Sequence, residues 1–496
     1  MTDVHSDKFE QLLRAKESSG FANLANSANG KPNTSGLTFA GVSCATPALA
    51  ISYVTAQNLC TRNRAYVHPP VQLTSNGTLT TELYVRAAGA AANLNDPVFD
   101  LISQFNSSKA DLFRQDTVAS FATTTTLQVA DAVENGWRPG MGFSVLLPGG
   151  RHFVGFIRSI TDVGGGGNDT ITFDPPMTTA ERVAAEAMTV KKIRGGRTYA
   201  LAEGYGAEVS LSFILLKRAY YTLLSGARGN TLEAMFETAK PAVFKTTFLG
   251  VHSYQGGLAP ATTVVSWTDP THLTVEEDAG ANIKVGHIAR VVIDATTYYV
   301  LVTAVDGDDI TIEDAGLPSD IDVEDPVPNL RKVDPGSTAE PDGDWLKYLN
   351  GRACIGGVAY DVSMMNWSVN MAPQLPATPN NLTGAMNMIS TFPDVRVAIE
   401  QSTFNDEALE DFRNGTAVSV LSMLSNGTNG NVVAMYSPSM HKMEVPQAGA
   451  KNDLIVMPIV MGTGLYTGDD GEYAAGASGA DGLVDTTLRY FVECVA

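Results

Sequence analysis

The chain has 496 residues, a formal net charge of −20, 17% charged residues, 46 glycines and 24 prolines. That length provides for about three domains and buried cores, and the composition excludes collagen-like, coiled-coil and wholly disordered chains. The acidity argues against a protein that grips nucleic acid by neutralising phosphates, and no uncharged stretch is both long and apolar enough to span a bilayer.

At the N-terminus, residues 5–17 (HSDKFEQLLRAKE) read as a short amphipathic helix with Phe9, Leu12 and Leu13 on one side, followed by a Ser/Gly/Ala/Asn arm over 18–36. Asp3, Asp7 and Glu10 replace the apolar run of a secretory signal, so the expectation is a protein that stays in the cell making it unless something larger carries it out. Strand signals dominate thereafter. Short apolar or alternating runs bounded by Gly, Asn, Asp and Pro recur at 78–85, 208–216, 242–249, 418–424, 431–436, 453–460 and 486–494. Two helices are expected: 97–105, with Asp96 as cap and Pro97 in the first turn, and 405–413, ended by Asn414-Gly415. The fold class is mainly β, with β-sandwiches carrying short helices.

An internal repeat sits inside this pattern. Leu127-Gln-Val129, Pro139-Gly-Met-Gly142, His152-Phe-Val-Gly-Phe-Ile and Asp169-Thr-Ile-Thr-Phe-Asp174 are matched by Leu273-Thr-Val275, Val285-Gly286-His-Ile, Tyr298-Tyr-Val-Leu-Val and Asp308-Asp-Ile-Thr-Ile-Glu313. Each copy is about 55 residues, sized for a small β-barrel or β-ribbon module. The second copy is the acidic one, since residues 257–345 hold eighteen acids and four bases, against 35 acids and 29 bases elsewhere. A dense acidic stretch of this kind reads as a solvated face.

Catalytic and ligand motifs are weak. The four cysteines (44, 60, 354 and 494) are far apart with no CxxC, which favours a reducing compartment, and the seven histidines form no metal-ligand spacing. The glycines at 462, 464 and 468 have neither dinucleotide-fingerprint spacing nor a βαβ context and read as a turn. Asp306-Gly-Asp-Asp309 and Asp469-Asp-Gly-Glu472 do not follow a calcium-loop pattern and read as hairpin turns. Asn76-Gly-Thr, Asn366-Trp-Ser and Asn426-Gly-Thr also read as turns, and the four tryptophans as core. No catalytic residue, metal or cofactor is expected.

One stretch goes further. Residues 210–250 read as a strand, a tight Gly226-Ala-Arg228-Gly229 turn, a strand, a Lys240-Pro241 turn and a strand ending at Gly250. This resembles the signature of tail tube (major tail) proteins of long-tailed bacteriophages. Residues 75–105 resemble that family's acidic strand, Ala/Gly loop and helix, 353–375 the opening strands of a second tube domain, and 393–440 its helix-then-strands part. The resemblance implies a first tube-like sandwich over 37–119 and 190–257, inserted β modules over 120–189 and 258–344, and a second sandwich over 345–496. It marks Gly226, Arg228 and Gly229 as an assembly or fold-defining turn. It further implies a non-enzymatic virion subunit, made in the host cytoplasm. Such a subunit closes with itself into a ring, trimeric but pseudo-hexameric, and the rings stack into a conduit for viral DNA without binding it specifically. Tape-measure and terminator proteins are the implied partners, and no membrane is. The rival readings are a decoration or distal-tail protein, a surface β-domain adhesin, which would need an export signal that is not seen, and a carbohydrate-active enzyme, for which no carboxylate pair stands out.

Overall fold

The computed structural model describes residues 71–89, 105–164, 166–201, 210–216, 220–238, 240–293, 296–313, 351–373, 393–401, 406–445, 449–451, 454–469 and 486–494, together with 11–16, 38–39, 44–54, 57–58, 66–67, 317, 329–330, 346 and 483. The chain is mainly β and includes small barrel modules. Of the helix expected over 5–17, the described part, 11–16, is not helical. Gln11–Lys16 is a strand, antiparallel to Leu211–Leu216. A segment that short has marginal helical stability, and a hydrogen-bonded sheet edge outbids it. The helix expected over 405–413 forms as Asp406–Asn414 and is stopped by Gly415 at φ 61°. Residues 97–104 lie outside the described residues, and Phe105 is a fully buried turn residue.

A run of seven antiparallel strands crosses both halves of the sequence. Cys44–Val54 pairs with Val71–Tyr84, then come Val243–Gly250 and Tyr220–Glu237 of the first half. Next are Val362–Asn370, Asp394–Gln401 and Leu454–Thr463 of the second half. Among the described side chains burial alternates along these strands, in Tyr220–Glu237 from residue 231 onward. Leu79, Phe244, Leu232, Trp367, Val397 and Ile459 face one continuous core shared by both halves, while the other face is open and mixes charged and hydroxyl side chains with a row that includes Val243, Met235 and Val460. Across that open face Glu82, Lys245, Glu233, Ser368 and Arg396 stand in register, one from each of the five inner strands, and all are exposed.

Over the core lies a second layer made of two hairpins. In the first half it is Leu211–Leu216 with residues 220–225, and in the second half Val418–Ser425 with residues 432–437. Phe213 and Leu224, like Val420 and Val433, point into the shared core. Ile214, Leu216, Tyr221 and Leu223 point away from it, as do Leu421, Met423, Ala434 and Tyr436. Burial on both faces explains why these strands are almost continuously apolar in sequence.

The expected turn at 226–229 is instead a kink within one 18-residue strand, Tyr220–Glu237. Residues up to Ala227 pair with the outer hairpin, and residues from Arg228 pair with Val243–Gly250. The register slips once before Ala227 and again between Gly229 and Thr231. A pair of bulges therefore bends a single strand from one layer of the sandwich to the other. Gly226 is at φ 58°, and a Cβ on Gly229 would lie 2.7 Å from the Phe105 ring. Both glycines serve the corner, not a chain reversal.

Each copy of the sequence repeat folds into a module with the same strand order. In the first, Gly142–Leu147, Arg151–Thr161, Asn168–Asp174, Thr126–Ala130, Gln115–Ser120 and Lys192–Arg194 close into a barrel. In the second, Ile288–Ile293, Thr296–Asp306, Asp309–Ile312, His272–Val275, Thr262–Asp269 and Asn329–Leu330 follow that order as an open sheet among the described residues. Equivalent atoms make equivalent bonds. Gly140 N–H donates to the Ile157 carbonyl at 2.7 Å and Gly286 N–H to the Val302 carbonyl at 2.8 Å, with both glycines at φ 90°. Asp169 accepts the Val133 and Val163 amides, and its counterpart Asp308 accepts those of Asp278 and Gly280. The first barrel begins at Gln115 and ends at Arg194, so it is wider than the 120–189 expected. It also carries a helix, Thr179–Glu186, that the strand-centred reading missed. Its signal was the Thr178-Thr-Ala-Glu181 capping box, whose two reciprocal hydrogen bonds are both formed.

Candidate functional site

Among the described residues no group of three or more His, Cys, Asp or Glu side chains is placed to hold a metal, and no helix is long and apolar enough to cross a membrane. Asp306-Gly-Asp-Asp309 is a hairpin turn, with Gly307 at φ 60° and Asp308 capping the neighbouring loop. Of Asp469-Asp-Gly-Glu472 only Asp469 lies within the described residues, and it is ion-paired to the fully buried Arg489. Asn76 and Asn366 sit in strands, not turns, because their register is fixed by neighbouring strands. Asn426 does sit in a turn, accepting the Thr428 amide at 3.1 Å. Trp137 and Trp367 are core residues, each with its indole N–H satisfied, by Asp116 and by Ser422 respectively, at 2.7 Å.

What the fold does bring together are two seams, where a module packs on an outer hairpin. Arg151–Thr161 has two buried faces. Phe153 and Ile157 fill the first barrel, while Val154 and Phe156 pack on Leu421, Met423, Tyr436 and Phe491 of the second half. Phe156 stacks on Tyr436 with centroids 4.6 Å apart and planes 11° from parallel. No Cβ fits on Gly142, because it would meet the Phe491 ring at 2.6 Å. The barrel thus branches from the first half of the sequence and docks on the second.

Polar groups are enclosed at this seam. The Tyr436 hydroxyl donates to Asp174, whose carboxyl is pushed up by burial; burial and that carboxylate together hold the Tyr436 phenol far above its usual range. His152 and Glu493 are both buried, with His152 Nε2 3.9 Å from Glu493 Oε2. His152 Nδ1 contacts Ser425 Oγ at 2.6 Å. Burial lowers His152 to about 4, with Arg194 adding to the effect, and burial raises Glu493 to about 7. Arg352 donates to Glu181 at 2.9 Å and lies 5.0 Å over the Phe153 ring, beside an open cleft of about 710 Å³ between the barrel and residues 351–363.

The second module docks by the corresponding strand. Tyr299 and Leu301 of Thr296–Asp306 pack on Ile214, Leu216, Tyr221 and Leu223 of the first half, and the Tyr221 hydroxyl donates to the Gly286 carbonyl at 2.9 Å. Each half therefore carries a module on the outer face of its outer hairpin, on the side away from the open face.

Of the three residues singled out from sequence, Gly226 and Gly229 form the corner between layers and Arg228 is buried there, 3% exposed. None of them lies in either seam cluster; His152, Val154, Phe156, Tyr299 and Leu301 of the seams fall within the sequence repeat, which marks the modules but not the surfaces they dock on. No protein-family model matches the chain, and no curated protein matches it.

Proposed function

We propose that this protein is a structural subunit of a tail tube of a long-tailed bacteriophage, a non-enzymatic virion protein that closes with copies of itself into rings. The observation that carries this reading is the seven-strand run in which the first-half strand Tyr220–Glu237 pairs edge to edge with the second-half strand Val362–Asn370. Two β halves in one chain are joined as neighbouring subunits of a ring must be joined. Repeating that junction between copies closes a barrel and removes exposed sheet edges. Three copies of a two-half chain give a pseudo-sixfold ring, and heterologous faces stack such rings into a tube.

The open face suits a conduit wall. Its two bases each face acids: Lys245 stands between Glu82 and Glu233 in register, and Arg396 Nη2 is 2.9 Å from Asp394. Among the described residues of these strands a passing DNA duplex meets no unaccompanied cation, and affinity for phosphates stays low. The modules, on the opposite side, project outward. Tape-measure and terminator proteins would set tube length, and assembly would take place in the host cytoplasm.

Negative-stain microscopy of the purified protein tests the proposal. Hollow tubes or stacked rings are expected. A monodisperse particle without a central hole, at high protein concentration, refutes it.

A further inference from the structure

We propose that the first barrel is held to the second half by a one-proton latch: His152 and Glu493 face each other across the seam and carry one titratable proton between them, on the carboxyl when docked and on the imidazole when apart. The geometry calls for some such device. Both side chains are wholly buried, 3.9 Å apart, on elements contributed by different halves of the sequence. Neither carboxylate oxygen of Glu493, nor Nε2 of His152, has a hydrogen-bond partner. Two buried, unsatisfied ionisable groups are costly as charges, and are cheapest as a neutral pair.

The surroundings offer the pair few partners. Ser144 of Gly142–Leu147 and the Gly430 amide both act to favour the carboxylate, but neither makes a well-formed hydrogen bond to it. Val418–Ser425 contributes Ser425, on His152 Nδ1. Lys192–Arg194 contributes Arg194, the one charged side chain that acts on both His152 and Glu493. When the seam opens, both groups meet water. The carboxyl then gives its proton to solvent and the imidazole takes one up, so the proton count of the pair is unchanged.

The consequence is an opening equilibrium almost indifferent to pH. Docked, Glu493 titrates at about 7 and His152 at about 4; hydrated, they return to 4.5 and 6.5. Between pH 5 and 8 the acid alone would favour opening about 70-fold, because its docked form binds the extra proton. The histidine alone would disfavour opening about 30-fold over that interval, because its open form binds the proton. Together they leave a change of about twofold.

Cys354 reports seam opening, since it is buried in the seam cluster with Val154 and Phe156. Its alkylation by N-ethylmaleimide would be followed by site-resolved mass spectrometry on the full chain, at pH 5, 6.5 and 8. Each rate is divided by the rate in the unfolded chain at that pH. The wild type is expected to vary about twofold, His152→Gln to open about 70-fold more at pH 8 than at pH 5, and Glu493→Gln about 30-fold less. A wild-type variation beyond tenfold overturns the latch even if neither variant folds. So does a flat profile, or one bent the same way, in a folded variant. As a second readout, infrared difference spectra at pH 6 should show a protonated-carboxyl band that Glu493→Gln removes. Persistence of an unchanged band in that variant places the proton elsewhere and rejects the assignment.

Discussion

Replacing Phe156 with alanine separates docking of the first barrel from its folding. Phe156 is fully buried, stacked on Tyr436 and 6.4 Å from the Phe491 ring in an edge-on arrangement. Loss of a buried Phe side chain costs about 3–5 kcal/mol where the site cannot collapse, of which the aromatic contacts are roughly 0.5–1.5 kcal/mol. The site cannot collapse easily, because Arg151–Thr161 is held from behind by Phe153 and Ile157 in the barrel interior. The loss therefore falls on the seam. Opening should rise by a factor on the order of 10²–10⁴, read as Cys354 alkylation relative to the unfolded chain. The barrel has its own reporter, Trp137, which is fully buried and bonded to Asp116 within the same module. Its fluorescence should hold at denaturant concentrations where Cys354 has become reactive. Loss of Trp137 burial in step with Cys354 would refute independent docking, and a stability loss below about 1 kcal/mol would refute the packing argument.

Other expectations are narrower. Leu301→Ala, at the corresponding position of the second module, should cost about 2–5 kcal/mol and loosen the second module while leaving Cys354 protected. Gly229→Ala must displace the Phe105 ring and should lower stability by about 1–3 kcal/mol in urea unfolding, whereas a neutral outcome would mean that the corner between layers is plastic. Burial pushes the Cys354 thiol up to about 11 and the Cys494 thiol up to about 12, so both should resist alkylation at pH 8 for as long as the packing over them stays closed, as read by site-resolved mass spectrometry. Neutralising Glu82, Glu233 and Asp394 together would leave Lys245 and Arg396 unaccompanied on the open face. That variant should acquire salt-sensitive binding to duplex DNA that the wild type lacks, as measured by fluorescence anisotropy.

The residues of this chain declare much of its local structure. Alternation of Phe244, Thr246 and Phe248 with Lys245 and Thr247 appears as the buried and open faces of Val243–Gly250, because a strand's side chains alternate whatever the strand packs against. The repeat was legible for a similar reason. Gly140 and Gly286 share a left-handed turn, and Asp169 and Asp308 share the capping of a neighbouring loop, both local needs met by specific residue types.

Tertiary pairing decided the rest. Glycine at 226 and 229 signals a departure from regular strand but cannot say whether the chain reverses or bends. Here partners on both sides of Tyr220–Glu237 keep it one strand. Gln11–Lys16 carries too little intrinsic preference to resist a sheet edge. The seam between His152 and Glu493 joins residues 341 positions apart, |i−j|, and the Ser425 contact spans 273. Burial of an ionisable side chain is set by what packs over it, and its partner can lie anywhere along the chain, so composition and spacing fix the strands and their faces while only the packed layers decide which face meets which.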